Sequence, residues 1–186
     1  MKAFLPREHG LWAWVGVPVV AALGLAPSVA TLVGALGVAV AFFFVNALRV
    51  HWPRTPWFEV PGILGLGGVG AGLAVLGGAD PHRAVAVQFA LGTWQVLGLW
   101  WVRGLLAPIL PGRRPWTSGK IVGICLAVTS FAVGLALGEP LAGAVPLLYP
   151  LRMAATPLPR KARDARRMGI GELAWAVGAA ALAVSA

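Results

Sequence analysis

Three ionisable side chains, Arg7, Glu8 and His9, stand together just before a long apolar run, and Trp12 follows Glu8 by four residues. Glu172 stands in the same relation to the last apolar run, and Arg49, Arg103 and Arg152 lie at the ends of three others. Residues of these types can hold an anion. A guanidinium presents a fixed fork of N–H donors to phosphate or carboxylate, and a nearby carboxylate or imidazole balances charge or moves a proton. The site expected from this set is a polar cavity built from Arg7, Glu8, His9, Trp12, Arg49, Arg103, Arg152 and Glu172. In it the arginines act as anion clamps, Glu8 and Glu172 as their partners or as proton acceptors, and His9 as a donor. A plainer expectation stands beside it. Glu8 in a first helical turn complements the helix dipole, and arginines at helix ends send long side chains from apolar faces to water.

The chain that must position these groups is mostly apolar. Of its 186 residues 59% are hydrophobic and 11% charged, with a mean hydropathy of +0.81. A soluble domain averages about 45–50% apolar and about 25% charged. At this length too much surface faces water for so much apolar side chain to be hidden. The expected class is therefore all-α, a polytopic transmembrane helical bundle forming one domain over residues 1–186. A membrane-crossing helix needs about 20 apolar residues, and seven runs approach that: 9–26, 29–48, 60–78, 84–102, 121–138, 141–156 and 168–186. The first is read as retained rather than cleaved, because Glu8 and His9 would sit inside a signal-peptide n-region. Pro27-Ser28 ends it and caps the second. Asp80-Pro81 and Glu139-Pro140 reverse the chain, and Pro146 and Pro150 shorten or kink the sixth run. Gly104 to Leu110 can extend the fourth without changing the topology.

Seven crossings put alternate loops on opposite sides. Fourteen of the fifteen basic residues then share the side of the N-terminus, and only Arg83 is on the other. The positive-inside rule sets that side as cytoplasmic and the C-terminus outside. Most of the nine tryptophans lie near the same helix ends, as an interfacial belt would. The net charge of +9 thus orients the chain and meets anionic membrane lipids, and no nucleic-acid partner is expected. One cysteine, Cys125, excludes an internal disulfide and a Cys-based metal site. Three histidines, one of them outside, do not make a His-only site or a haem pair. No metal and no cofactor are expected.

Gly65-Leu66-Gly67-Gly68-Val69-Gly70 fits the dinucleotide pattern GxGxxG. That pattern needs a strand before it and a helix after it, and this copy lies in the middle of an apolar run. It reads as helix packing by small residues, together with Gly68 and Gly72 in GxxxG spacing and Gly134 and Gly138 repeating it. Such faces also suit a homo-oligomer or a membrane partner. Asn46, Gln88 and Gln95 add polar groups within the runs, and the two glutamines, seven apart, suit hydrogen bonds between helices.

Pro6-Arg7-Glu8-His9-Gly10, with Trp12-Ala13 and Pro18, resembles the N-terminal signature of the YwiC-like family of bacterial integral membrane proteins. A basic loop leading into Gly169-Ile170-Gly171-Glu172 is similar to the glycine and glutamate that open the family's last helix. The resemblance implies a multi-pass protein of the bacterial cytoplasmic (inner) membrane and carries no particular reaction with it. The functional reading drawn from these residues is binding or transport of a lipid-like or small anionic ligand at the cytoplasmic-side cluster. Two alternatives stand beside it, an accessory subunit of a membrane complex and a UbiA-like membrane transferase. The second lacks Asp-rich motifs to hold Mg²⁺ on a diphosphate, since the chain has two aspartates, Asp80 and Asp164.

Overall fold

The computed structural model describes residues 9–48, 56–107, 119–155 and 164–186. Within some helices (9–14, 43–48, 56–59, 119, 164–167 and 169) only the backbone is described. The described residues are helical, without strands. In chain order they form α1 (His9–Leu25), α2 (Val29–Leu48), α3 (Pro56–Leu76), α4 (Pro81–Leu106), α5 (Gly119–Ala136), α6 (Pro140–Ala144), a 3₁₀ turn (Val145–Leu148), α7 (Tyr149–Ala154) and α8 (Asp164–Ser185). The fourth run continues through Arg103 and Gly104 to Leu106. The last helix starts at Asp164, earlier than its apolar run, so Arg166 and Arg167 lie in its first turn. The sixth run is broken into three pieces. Pro146 and Pro150 cannot donate to a helix ladder, and each stands near the start of a new piece.

Local sequence explains the turns. Ser28 caps α2, its Oγ accepting from the Thr31 N–H at 3.1 Å. α3 and α5 end alike. Gly78 (φ +103°) and Gly138 (φ +79°) take the left-handed conformation that glycine tolerates. The next residue reaches back five positions, Ala79 to the Ala74 carbonyl at 2.9 Å and Glu139 to that of Gly134 at 2.7 Å. A proline then opens the following helix, whose first N–H needs no partner. Asp80 caps α4 by accepting from the Arg83 N–H at 2.9 Å.

Contacts at the ends fix the relative directions. A Cβ on Gly24 would meet Val184 at 3.1 Å, one on Gly77 would meet Ala26 at 2.9 Å, and Arg83 Nη2 donates to the Val184 carbonyl at 2.7 Å. The ends of α1, α3 and α8 and the starts of α2 and α4 therefore share one end of the bundle, and α1 and α8 run parallel. Arg83, the basic residue apart from the rest, serves one of the last carbonyls of α8. Those carbonyls have no partner within the helix and carry its negative end charge. At the centre lies α4, packed against α1, α3, α5, α6, α7 and α8.

The glycines divide by what they face. Gly67 and Gly70 of the GxGxxG stretch let α3 lie against α4: an added Cβ would sit 3.1 Å from the Gln88 carbonyl or 2.7 Å from Gln88 Oε1. Gln88 itself donates from Nε2 to the Pro18 carbonyl at 3.0 Å, joining α4 to α1. Two expectations need correction. Gly68 and Gly72 meet nothing within 4 Å and lie on the exposed face of α3, so they do not pack within the chain. Gly138 serves the turn, and the partner of Gly134 is Gly143 on α6. A Cβ on Gly134 would lie 2.7 Å from the Glu139 carbonyl and 2.8 Å from Gly143 Cα, both backbone atoms that cannot swing aside.

Among the described residues one helix, Pro81–Leu106, is long and apolar enough to cross a membrane by itself. The other apolar stretches, Val15–Leu25, Val29–Phe42, Val60–Leu76, Lys120–Ala136 and Ile170–Ser185, are shorter. Gly134→Ala should lower stability by about 1–3 kcal/mol through overpacking. Gly68→Ala should leave it unchanged or raise it by up to about 1 kcal/mol through helix propensity. Thermal unfolding of the two purified variants checks the contrast.

Candidate functional site

Tyr149 is the single tyrosine of the chain, and it opens α7 where the broken sixth run resumes as a helix. Arg152 follows it by three residues, on the same face of that short helix. The guanidinium lies 5.5 Å from the centre of the Tyr149 ring. Both residues are 1% exposed. The face of α4 opposite them carries Leu91, Trp94, Leu97 and Trp101, spaced by three and four, in the largest apolar cluster of the bundle. Trp94 meets the Tyr149 ring edge-on, with centroids 5.0 Å apart and planes at 74°.

Glu172, the ninth residue of α8, completes the cluster. One of its oxygens, Oε1, pairs with Arg152 Nη2, and its side chain is 14% exposed. The other, Oε2, faces Gly98 of α4. A Cβ built on Gly98 would lie 3.4 Å from Glu172 Oε2 and 3.6 Å from Tyr149 Oη, ordinary contact distances, so α4, α7 and α8 meet beside Gly98. Isolated charges are expensive in such surroundings, and the pair is what makes the burial of Arg152 tolerable. Two donors beside it, Tyr149 Oη and Trp94 Nε1, are buried without a hydrogen-bond partner among the described residues. An orphaned buried donor costs about 1–3 kcal/mol. The cluster thus holds a buried ion pair and two donors suited to an acceptor, within an apolar shell.

Of the residues singled out from the sequence, the structure brings Arg152 and Glu172 into contact. Arg152 does not snorkel to a surface, because its counter-charge is inside. Arg103 is partly buried in the last turn of α4, five residues beyond Gly98 and so on another face. His9 and Trp12 belong to the opening turns of α1, with side chains outside the described part, and Arg7, Glu8 and Arg49 lie outside the described residues. Sequence reasoning missed Tyr149, Trp94 and Gly98. A signal existed for two of them: Tyr149 stands between two helix-breaking prolines, and Trp94 is mid-run, away from the helix ends where the other tryptophans gather. Trp100 and Trp101, expected in an interfacial belt, are partly buried, with Trp101 packed on the main core and Trp100 on the smaller cluster of Ile63 and Val96.

No protein-family model, curated protein or solved structure matches the chain.

Removing one member of the pair leaves a buried charge alone, which costs about 3–5 kcal/mol, whereas apolar residues of similar volume at both positions are often neutral. Arg152→Met or Glu172→Leu alone should therefore lower the unfolding midpoint strongly, and the double substitution should recover most of the loss. A double-mutant cycle on thermal unfolding reads this directly.

Proposed function

We propose that the chain is a polytopic protein of the bacterial cytoplasmic membrane, of the YwiC-like kind. It has its N-terminus inside and its C-terminus outside, and it binds the headgroup of a lipid-like or small anionic ligand in the cluster of Arg152, Glu172, Tyr149 and Trp94. The observation that carries the ligand reading is that cluster: a buried guanidinium beside two orphaned buried donors. All three favour an oxygen-rich anionic group.

The membrane reading is supported by what lies outside. α2 exposes Val29, Leu32, Val33, Leu36 and Val40, and α5 exposes Ile121, Ile124, Val128 and Leu135. Aliphatic faces of that extent on monomeric soluble proteins are rare. The helix directions support this sidedness. Arg83 stands at the end shared by Val184, Gly24 and Gly77, while the helix ends Leu48, Leu106 and Ala154 lie at the other, and the sequence that follows each of them carries Arg49 and Arg54, Arg113 and Arg114, and Arg160, Lys161 and Arg163. The cluster lies toward that basic end, since Glu172 is eight residues, or roughly 12 Å, from the start of α8.

A second reading, an accessory subunit, draws support from the exposed face of α3. Gly62, Gly65, Gly68 and Gly72 meet nothing there within 4 Å. A stoichiometric membrane partner retained on purification, and released by Gly68→Leu, would favour it.

Two measurements test the main reading. In a Cys125→Ser background, Ala162→Cys should react with an impermeant maleimide only in opened cells, and Ser185→Cys in intact spheroplasts; reaction of both from one side overturns the topology. After delipidation, native mass spectrometry should show the protein retaining phosphatidic acid over diacylglycerol by about tenfold, the worth of one charge-assisted contact. The Arg152→Met/Glu172→Leu protein should lose that preference. Equal retention by the two proteins overturns the ligand site.

A further inference from the structure

Arg83 stands at the wrong end of its own helix. It lies in the first turn of α4, where the helix end carries partial positive charge and a cation is unfavourable. Asp80 fixes its backbone there by accepting from the Arg83 N–H at 2.9 Å. The guanidinium, however, reaches the favourable end of another helix. Its Nη2 donates to the Val184 carbonyl near the end of α8 at 2.7 Å, between residues 101 apart in the chain. This charge-assisted bond to the negative end of α8 offsets the repulsion at the positive end of α4. If the two ends part, Arg83 loses its acceptor and keeps the repulsion. The favourable state of this residue is therefore the one in which α8 lies closed on α4.

The other contacts of α8 are uneven along its length. Glu172, in its first half, pairs with Arg152. Val184 lies twelve residues further on, roughly 18 Å along the axis. Between them the buried face is Ala176, Ala179, Ala180 and Ala183, in one apolar cluster with Val17 and Ala21 of α1 and Val87 and Leu91 of α4. Methyl groups bury little area and interlock little with their neighbours. The opposite face exposes Ile170, Trp175, Val177 and Leu182, so among the described residues no helix lies over it. α8 is thus a rod with a smooth inner face and an uncovered outer one, with an arginine contact toward each end. The two contacts differ in kind. The Arg152 contact is buried and joins two charges. The Arg83 contact is partly exposed and uses a main-chain carbonyl, so water can take its place. The end held by Arg83 is the one that releases first.

We propose that Arg83 is a latch. It holds the end of α8 on α1 and α4, and its release lets α8 pivot about the Arg152–Glu172 pair. The pivot parts Val184 from Gly24 and opens the seam between α1, α4 and α8 from the end that bears Arg83. This motion does not depend on which ligand the cluster holds.

Gly24 and Val184 provide the reporter. A Cβ on Gly24 would lie 3.8 Å from Val184 Cβ, the separation that a disulfide requires. The test uses the full-length protein with Cys125→Ser, Gly24→Cys and Val184→Cys, and measures the rate of cross-linking under a limiting oxidant. With Arg83 present the cross-link should form readily. Arg83→Gln should slow it by about tenfold, the worth of one charge-assisted bond. Arg83→Lys, which still donates with a positive charge, should stay closer to wild type than to Arg83→Gln. A second measurement places spin labels at two exposed positions of the same end, through Ala30→Cys and Ser185→Cys in the Cys125→Ser background, and reads their separation by pulsed electron paramagnetic resonance. Wild type should give one distance, and Arg83→Gln should add a longer one. Thermal unfolding separates a latch from a merely stabilising contact. A lowered midpoint in Arg83→Gln with the cross-linking rate and the label distance both unchanged overturns the latch, and so does an unchanged rate and distance with no loss of stability.

Discussion

A guanidinium among apolar helices must have its counter-charge within reach, and the interior of this bundle is arranged around that requirement. Arg152 is carried inward on a helix of six residues, too short to be stable alone, and is held there by packing of Tyr149 on Trp94 and by the carboxylate of Glu172. The pair ties the broken sixth segment to α8 on one side, and Tyr149 packing on Trp94 ties it to α4 on the other. Removing the charge from either partner would turn a tolerated burial into an untenable one. The geometry of three helices therefore depends on one contact.

The same logic explains the rest of the interior. Buried polar groups on α4 are used to join elements: Gln88 reaches the Pro18 carbonyl on α1 and fills the notch left by Gly70 on α3. Away from α4, Ser130 on α5 donates to the Gly143 carbonyl at 3.1 Å, where α5 and α6 approach most closely. Small residues and hydrogen bonds take the place of a large apolar core, as suits helices whose outward faces are as aliphatic as their inward ones. Tyr149 and Trp94 depart from this pattern. Their polar atoms have no hydrogen-bond partner among the described residues although their rings are packed, and the same holds for Thr93 Oγ1 and Trp101 Nε1 on α4.

Much of the fold was legible because its punctuation is local. Ser28, Asp80-Pro81 and Glu139-Pro140 mark boundaries by capping chemistry that acts within four or five residues, and the prolines of the sixth run announce its break. The pairing of glycines was not legible, because spacing alone cannot say which face of a helix meets a neighbour. Gly68 and Gly72 have the spacing expected of a packing motif, yet Gly67 and Gly70, one and two positions away, make the approach. The site was legible in part for a related reason. Topology sets residues at a common depth, so Arg49, Arg103, Arg152 and Glu172 could be grouped, but depth does not specify azimuth. Of this group, Arg152 and Glu172 meet. Tyr149 and Trp94 were hidden because an aromatic in an apolar run reads as core until its polar atom is seen to lack a partner.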